Sequence, residues 1–393
     1  MKGEPVRATE GKNEPGRSDR EAPAIVISAN SSWNIVNFRG GLIRALRNHG
    51  YRIIVAAPED KQTSRLGEYG ASFVSVPMNS SGLSVVEDLR LLLRYRKIFR
   101  EIKPFAYLGF TAKPNIYGSL AARAVGAKVI NNVSGLGTVF IKRGPLTTLL
   151  VQLYRLSFRT SAKVFFQNRE DMELFVANRT VRPQQAELLP GSGVDLARFQ
   201  PGLSERGIGS GPGPFRFLLV GRLLWDKGVA EYVEAARLVR KLHPEVRFQM
   251  LGPVGVDNRT AVPSASLERW RAEAVIEYLG ESDDVRMAME QADCIVLPSY
   301  REGLPRTLLE GSAMGKPLIA TDVPGCRDVV VDGETGYLCE VRSANSLASA
   351  MLKMLEAPAA ERLEMGKRGR RKVEQEFCES LVIAKYLDAL GTR

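Results

Sequence analysis

Histidine and cysteine are scarce in this 393-residue chain, at 2 and 4 residues. The cysteines, Cys294, Cys326, Cys339 and Cys378, show no metal-ligand spacing. Nothing in their placement asks for a disulfide, so a reducing, cytoplasmic setting is the simpler expectation. Cys294 lies in an apolar run and reads as a buried, inert small hydrophobe. His49 and His243 each stand at a predicted helix end, before Gly50 and Pro244, where a capping or dipole role suffices. No apolar run reaches the roughly 18 residues of a membrane-crossing helix. The first twenty-odd residues are charged, rich in Gly and Pro and without an apolar core. They predict a disordered leader over 1–22 rather than a secretion signal.

The charge is abundant but uneven. Residues 1–200 carry 29 Lys and Arg against 16 Asp and Glu, a net of +13, whereas residues 201–393 net −2. An anionic partner for the first half follows from that asymmetry. Length alone argues for two domains. Short apolar runs at 24–28, 51–57, 72–76, 106–110, 128–132 and 163–167 alternate with helical patterns at 36–48, 63–69, 87–102, 115–124 and 145–157. Strand–helix alternation of this kind predicts a doubly wound parallel sheet. A Gly/Pro-rich linker over 201–214 separates it from a second alternating set, with strands at 217–220, 247–251, 275–279, 293–297 and 317–321. The domains expected are therefore 23–200 and 215–375, with a helical stretch from about 359 to 390 at the end. The glycine cluster at 207–213 neither follows a strand nor opens a helix, so it reads as linker, not as a dinucleotide fingerprint.

Two blocks in the second half carry chemistry. Pro298–Glu310, PSYREGLPRTLLE, places Glu302 and Glu310 eight positions apart around a Gly303-Leu304-Pro305 turn. The apolar run before it predicts a buried strand, and the residues after Pro305 predict a helix ending at Gly315. One carboxylate then lies in the loop at the strand's carboxyl end and the other near the helix start, in the crevice where open parallel sheets bind ligands. The second block, Gly221-Arg222-Leu223-Leu224-Trp225-Asp226-Lys227-Gly228, follows the strand at 217–220. Arg222 offers a planar fork and Lys227 a point charge, two ways of holding phosphate oxygens. The plainer alternatives are solvated charges on a turn and an acid that stabilises its own helix.

Together, in this order and about eighty residues apart, the blocks resemble those of retaining glycosyltransferases of the GT-B fold, family 4. The tail Lys316-Pro317-Leu318-Ile319-Ala320-Thr321, with Gly325 and Val331–Gly336, matches as well. The resemblance runs from about Ala24 onward. It implies an α/β fold of two Rossmann-like domains facing across a cleft, with a last helix, about 376–393, crossing back onto the first domain. It further implies that Arg222 and Lys227 grip a donor diphosphate, that Glu302 reaches the donor sugar, and that Glu310 takes ribose hydroxyls. Gly221, Gly303, Leu304 and Pro305 shape the donor turns, and Tyr278-Leu279-Gly280 borders the base. No Asp-x-Asp chelating pattern is present; relatives of this kind need no divalent ion, so no metal or other cofactor is expected beside the nucleotide-sugar co-substrate.

The blocks Thr111–Ser119 and Ser134–Gly137 are similar to a subgroup acting on undecaprenyl-diphosphate-linked sugars, which implies a UDP-N-acetylhexosamine donor and a lipid-linked saccharide acceptor. Acceptor-side candidates are Asn30, Ser31, Lys113, Asn115, Ser134 and Gly135. Many relatives carry a histidine where this chain has Asn132–Gly137, and no histidine stands there; the donor phosphate would then take the acceptor proton. The leucine- and arginine-rich segments 90–100 and 146–158 suit an anionic membrane surface. The partners expected are that surface, the nucleotide sugar and the acceptor, with no nucleic acid, on the inner face of the cell membrane. Two rivals stay open: a sugar-nucleotide epimerase or hydrolase on the same fold, and a non-catalytic nucleotide-sugar-binding scaffold.

Overall fold

The computed structural model describes residues 22–79, 84–135, 145–202, 213–256 and 258–391. The leader, most of the expected linker and the end of the 134–137 block lie outside the described residues.

Two parallel sheets organise the chain. The first has seven strands: β1 (Ala24–Ser28), β2 (Arg52–Ala57), β3 (Ser72–Ser75), β4 (Ala106–Phe110), β5 (Lys128–Val133), β6 (Lys163–Phe166) and β7 (Ala186–Leu188), in the order β3-β2-β1-β4-β5-β6-β7. The second has six: β8 (Arg216–Val220), β9 (Arg247–Leu251), β10 (Glu277–Tyr278), β11 (Cys294–Leu297), β12 (Leu318–Thr321) and β13 (Gly336–Cys339), in the order β10-β9-β8-β11-β12-β13. β1, β4 and β11 are buried throughout. Such strands are covered on both faces and read as unbroken apolar runs. That is why the sequence marks them so clearly.

The helices used below are α1 (Ser32–Asn48), α2 (Val85–Ile102), α3 (Pro145–Phe158), α4 (Arg169–Ala177), α5 (Arg306–Ala313), α6 (Ala359–Glu376) and α7 (Glu379–Leu390). Some details differ from expectation. The 63–69 segment is a 3-10 helix, and 115–124 opens with a π turn at Pro114–Gly118. The 275–279 strand shrinks to two residues. The terminal stretch is two helices, broken at Phe377-Cys378. There Val194 pairs with Cys378, which redirects the chain. The α7 helix then lies on the first domain: its Tyr386 packs between Phe110 and Phe165 and accepts from Asn132 Nδ2 at 3.0 Å.

In each sheet the strand order reverses direction once, between β1 and β4 and between β8 and β11. In open parallel sheets, the loops leaving the carboxyl ends of the strands on either side of such a reversal are where ligands bind. All the candidate site residues except the 278–280 group, Ser134 and Gly135 fall on these four exits or on the helical turns they lead into. No helix among the described residues is long and apolar enough to cross a membrane.

Candidate active site

At the exit of β8 the chain turns through Gly221, whose φ of 147° only glycine adopts readily. Arg222 follows, exposed and without a hydrogen-bond or ion-pair partner among the described residues. A short 3-10 turn, Trp225–Lys227, ends at Gly228 with φ 72°. A Cβ on Gly228 would overlap the carbonyl of Pro298, at the exit of β11. The backbone N–H of Tyr300 donates to Asp226 at 2.9 Å. The two exits are thus stitched together, and the stitch brings Lys227 Nζ into an ion pair with Glu302 Oε1. Thr307 Oγ1 ties the start of α5 to Val220 at the end of β8, at 3.2 Å.

Glu310, four residues into α5, is buried and accepts from Arg306 Nε at 2.7 Å. Burial raises its pKa, and Arg306 opposes that rise. Along the same sheet edge, Tyr278 Oη donates to the Gly252 carbonyl at 3.0 Å and Gly252 N–H to Gly280 at 2.8 Å. A Cβ on Gly252 would overlap the Gly221 carbonyl, so the exits of β8, β9 and β10 form one continuous rim. Leu279 is exposed on that rim. Burial raises the Tyr278 hydroxyl pKa. The Cys326 thiol, buried near Glu302 and Lys227, is pushed well up by burial and is inert for the same reason.

The Gly303-Leu304-Pro305 turn faces the other lobe. A Cβ on Gly303 would overlap the Ser134 carbonyl and lie 3.0 Å from Gln167 Oε1. Asn168 Nδ2 donates to the Gly303 carbonyl at 3.2 Å, and a Cβ on Gly191 would stand 2.9 Å from Leu304. Ser134 and Gly135 are exposed at the same place. Beside the turn, Arg301 forms an ion pair with Asp171, a buried residue of α4.

The other acceptor-side candidates divide. Asn30 lies at the β1 exit, where its N–H donates to Thr111 Oγ1 at the β4 exit, 3.1 Å away. Ser31 caps α1 by accepting from Asn34 N–H. Lys113 is bound to Asp88 at 2.8 Å, largely shielded, and anchors the start of α2. Asn115 is a correction: it is buried, donates to the Asn132 carbonyl at 2.8 Å and accepts from Asn131 at 3.0 Å. Its polarity satisfies β5 from within the lobe, as a buried amide must, and leaves nothing for an acceptor.

Sequence reasoning passed over Arg301, Asp171, Asn168 and Arg306, which join the lobes. Arg301 and Arg306 stand inside the block already singled out, and their type, a planar multiple donor, was the available signal.

A family model described as glycosyl transferase 4-like matches residues 25–168, and one described as glycosyl transferases group 1 matches residues 204–372. The chain is 26% identical, over 92% of its length and 97% of the relative's, to the N,N'-diacetylbacillosaminyl-diphospho-undecaprenol alpha-1,3-N-acetylgalactosaminyltransferase of Campylobacter jejuni. It is 25% identical, over 72% of its length and 74% of the relative's, to the UDP-Gal:alpha-D-GlcNAc-diphosphoundecaprenol alpha-1,3-galactosyltransferase of Escherichia coli. Among solved structures, Anabaena HepE in complex with UDP and glucose superposes with a TM-score of 0.77 at 16% identity, over 94% of this chain and 99% of that one.

Proposed function

This chain belongs to the group 1, family 4-like glycosyltransferases, a GT-B enzyme family, and from that premise we propose that it moves an N-acetylhexosamine from UDP to a lipid-diphosphate-linked saccharide, with retention at the anomeric carbon. The observation that carries the reading is the convergence of Lys227 and Glu302 from two different strand exits, with Arg222 exposed on the same β8 exit as Lys227 and unpartnered among the described residues. Breaking the sugar–phosphate bond leaves charge on the departing diphosphate. A fixed cation there is worth more in the transition state than in the ground state. Arg222 and Lys227 supply that charge, so the transfer needs no divalent ion. Glu302 holds Lys227 and faces the sugar hydroxyls, while Glu310 accepts from the ribose diol. Ser134 and Gly135 border the site from the opposite lobe, where the acceptor enters. Without a nearby histidine, the donor phosphate oxygen takes the acceptor proton on the same face of the sugar, the geometry of retention. The two relatives whose printed names specify diphospho-undecaprenol substrates support the lipid-linked acceptor.

The test is a panel of UDP- and GDP-sugars with purified protein, with and without a polyprenyl-diphosphate saccharide. UDP release that needs the acceptor, persists in EDTA and yields a product of unchanged anomeric configuration is expected. Release of UDP without acceptor, leaving a 2-epimerised sugar, would overturn the reading in favour of an epimerase. Binding without turnover on any acceptor would favour a scaffold.

A membrane-bound acceptor requires the first lobe to meet the bilayer. The α2 helix points Val85, Val86, Leu89 and Leu93 outward, at 84%, 60%, 55% and 53% exposure, with Arg90, Arg96, Lys97 and Arg100 exposed among them. Leu149 and Leu156 of α3 are exposed apolar residues of the same lobe. Apolar residues flanked by cations suit an anionic interface. Vesicle flotation should show binding that needs anionic lipid and weakens with salt. The triple change Val86→Ser, Leu89→Ser, Leu93→Ser should lower the partition coefficient about tenfold or more, each buried methylene being worth about 0.8 kcal/mol. Unchanged flotation of this variant would place the contact elsewhere.

A further inference from the structure

Arg306 is the residue of the donor block that the transfer chemistry leaves unused. It opens α5 and makes three contacts on two lobes at once. Its Nε donates to Glu310 Oε1 at 2.7 Å; its Nη1 donates to the main-chain carbonyl of Asn37 on α1; and its guanidinium stands 5.2 Å from the ring centroid of Phe38. The side chain is four-fifths shielded. Because the Asn37 contact is to backbone, it reads the position of α1 and not the identity of a side chain. Glu310 Oε2 has no partner among the described residues, which leaves that oxygen for a ligand hydroxyl.

We infer that Arg306 is a positioning residue: it fixes the aim of Glu310 toward the donor ribose and makes that aim depend on α1 of the facing lobe. The inference rests on the reading of Glu310 as the acceptor of ribose hydroxyls. A carboxylate that accepts from a diol must be ionised. Glu310 is buried, which favours its neutral form, and Arg306 opposes this, helped by Arg198 and hindered by Asp284. From α6, Arg370 caps the far end of α5 on Ala313. Around Arg306 itself stand Glu379 at the start of α7, half-buried, and Arg39 on α1, buried. Donor affinity therefore falls as pH drops through the Glu310 pKa, and loss of Arg306 raises that pKa further. The fall then begins at a higher pH.

Isothermal titration of UDP from pH 5 to 8 tests this in the full chain. Arg306→Met should weaken binding about tenfold near neutral pH, in line with a charge-assisted hydrogen bond, and move the acid limb upward. Arg306→Lys, which keeps a charge but not the fork, should leave the limb near its wild-type position. Glu310→Gln should remove the limb. Wild-type affinity and an unmoved limb in Arg306→Met would overturn the inference, as would a lowered Tm with no change in the limb. If Arg306→Met fails to fold, Phe38→Leu takes its place: a smaller shift in the same direction supports the inference, and none overturns it. A wild-type protein that binds no UDP would instead overturn the donor-site reading beneath it.

Discussion

Lys227→Ala and Glu302→Gln should each lower kcat by about 10²–10³, the scale on which one preorganised charge or donor acts at a developing anion. The fold should hardly notice. The Lys227–Glu302 pair is partly exposed, with side chains 25% and 12% accessible. Pairs of that kind contribute at most about 1 kcal/mol to stability, so Tm should move by a few degrees at most. The effects should also be non-additive. Once Lys227 is gone, Glu302 has lost the partner that holds it, and the double variant should be little worse than the worse single one. Steady-state kinetics alongside thermal melting separates the cases. A large fall in Tm with kcat intact would make the pair a structural strut and leave the donor chemistry without its cation.

Gly303→Ala carries the second large effect, for a different reason. The new Cβ would meet the carbonyl of Ser134, which belongs to the opposite lobe's backbone and has no side-chain rotamer with which to yield. The turn sits between the lobes and not in either core, so each lobe should fold and the carboxyl-terminal half should still bind UDP. What is lost is the approach of the acceptor edge to the donor sugar. A misplacement of about 1 Å is enough to cost roughly 10² in rate. The expected result is UDP affinity within about threefold of wild type and turnover down by about a hundredfold. Full activity in this variant would show that transfer does not use the closed arrangement of the lobes seen here.

The parts of this fold legible in the sequence are those whose causes are local. Strands β1, β4 and β11 are buried on both faces and announce themselves as apolar runs. The short edge strands β7 and β13 are only partly covered, so their sequences lack that signature, and they went unread. The π turn at Pro114–Gly118 likewise has no local mark beyond its proline. In the site, the spacing of Glu302 and Glu310 and the Arg222–Lys227 block located one sheet edge, because each block follows its own strand. Contacts between blocks were out of reach. Arg306 meets Asn37 across 269 positions, and Asp171 meets Arg301 across 130. Asn115 misled in the opposite direction: an amide after a strand exit reads as a binding group until the buried Asn131 that it satisfies is in view.

The central claim is that the turns leaving β8 and β11 form one donor site. Hydrogen exchange of backbone amides with and without UDP tests it most directly. Slowed exchange at both 221–228 and 299–307, together and saturating at one UDP concentration, is the result the account predicts. Protection confined to one of these turns, or falling on neither, would contradict it.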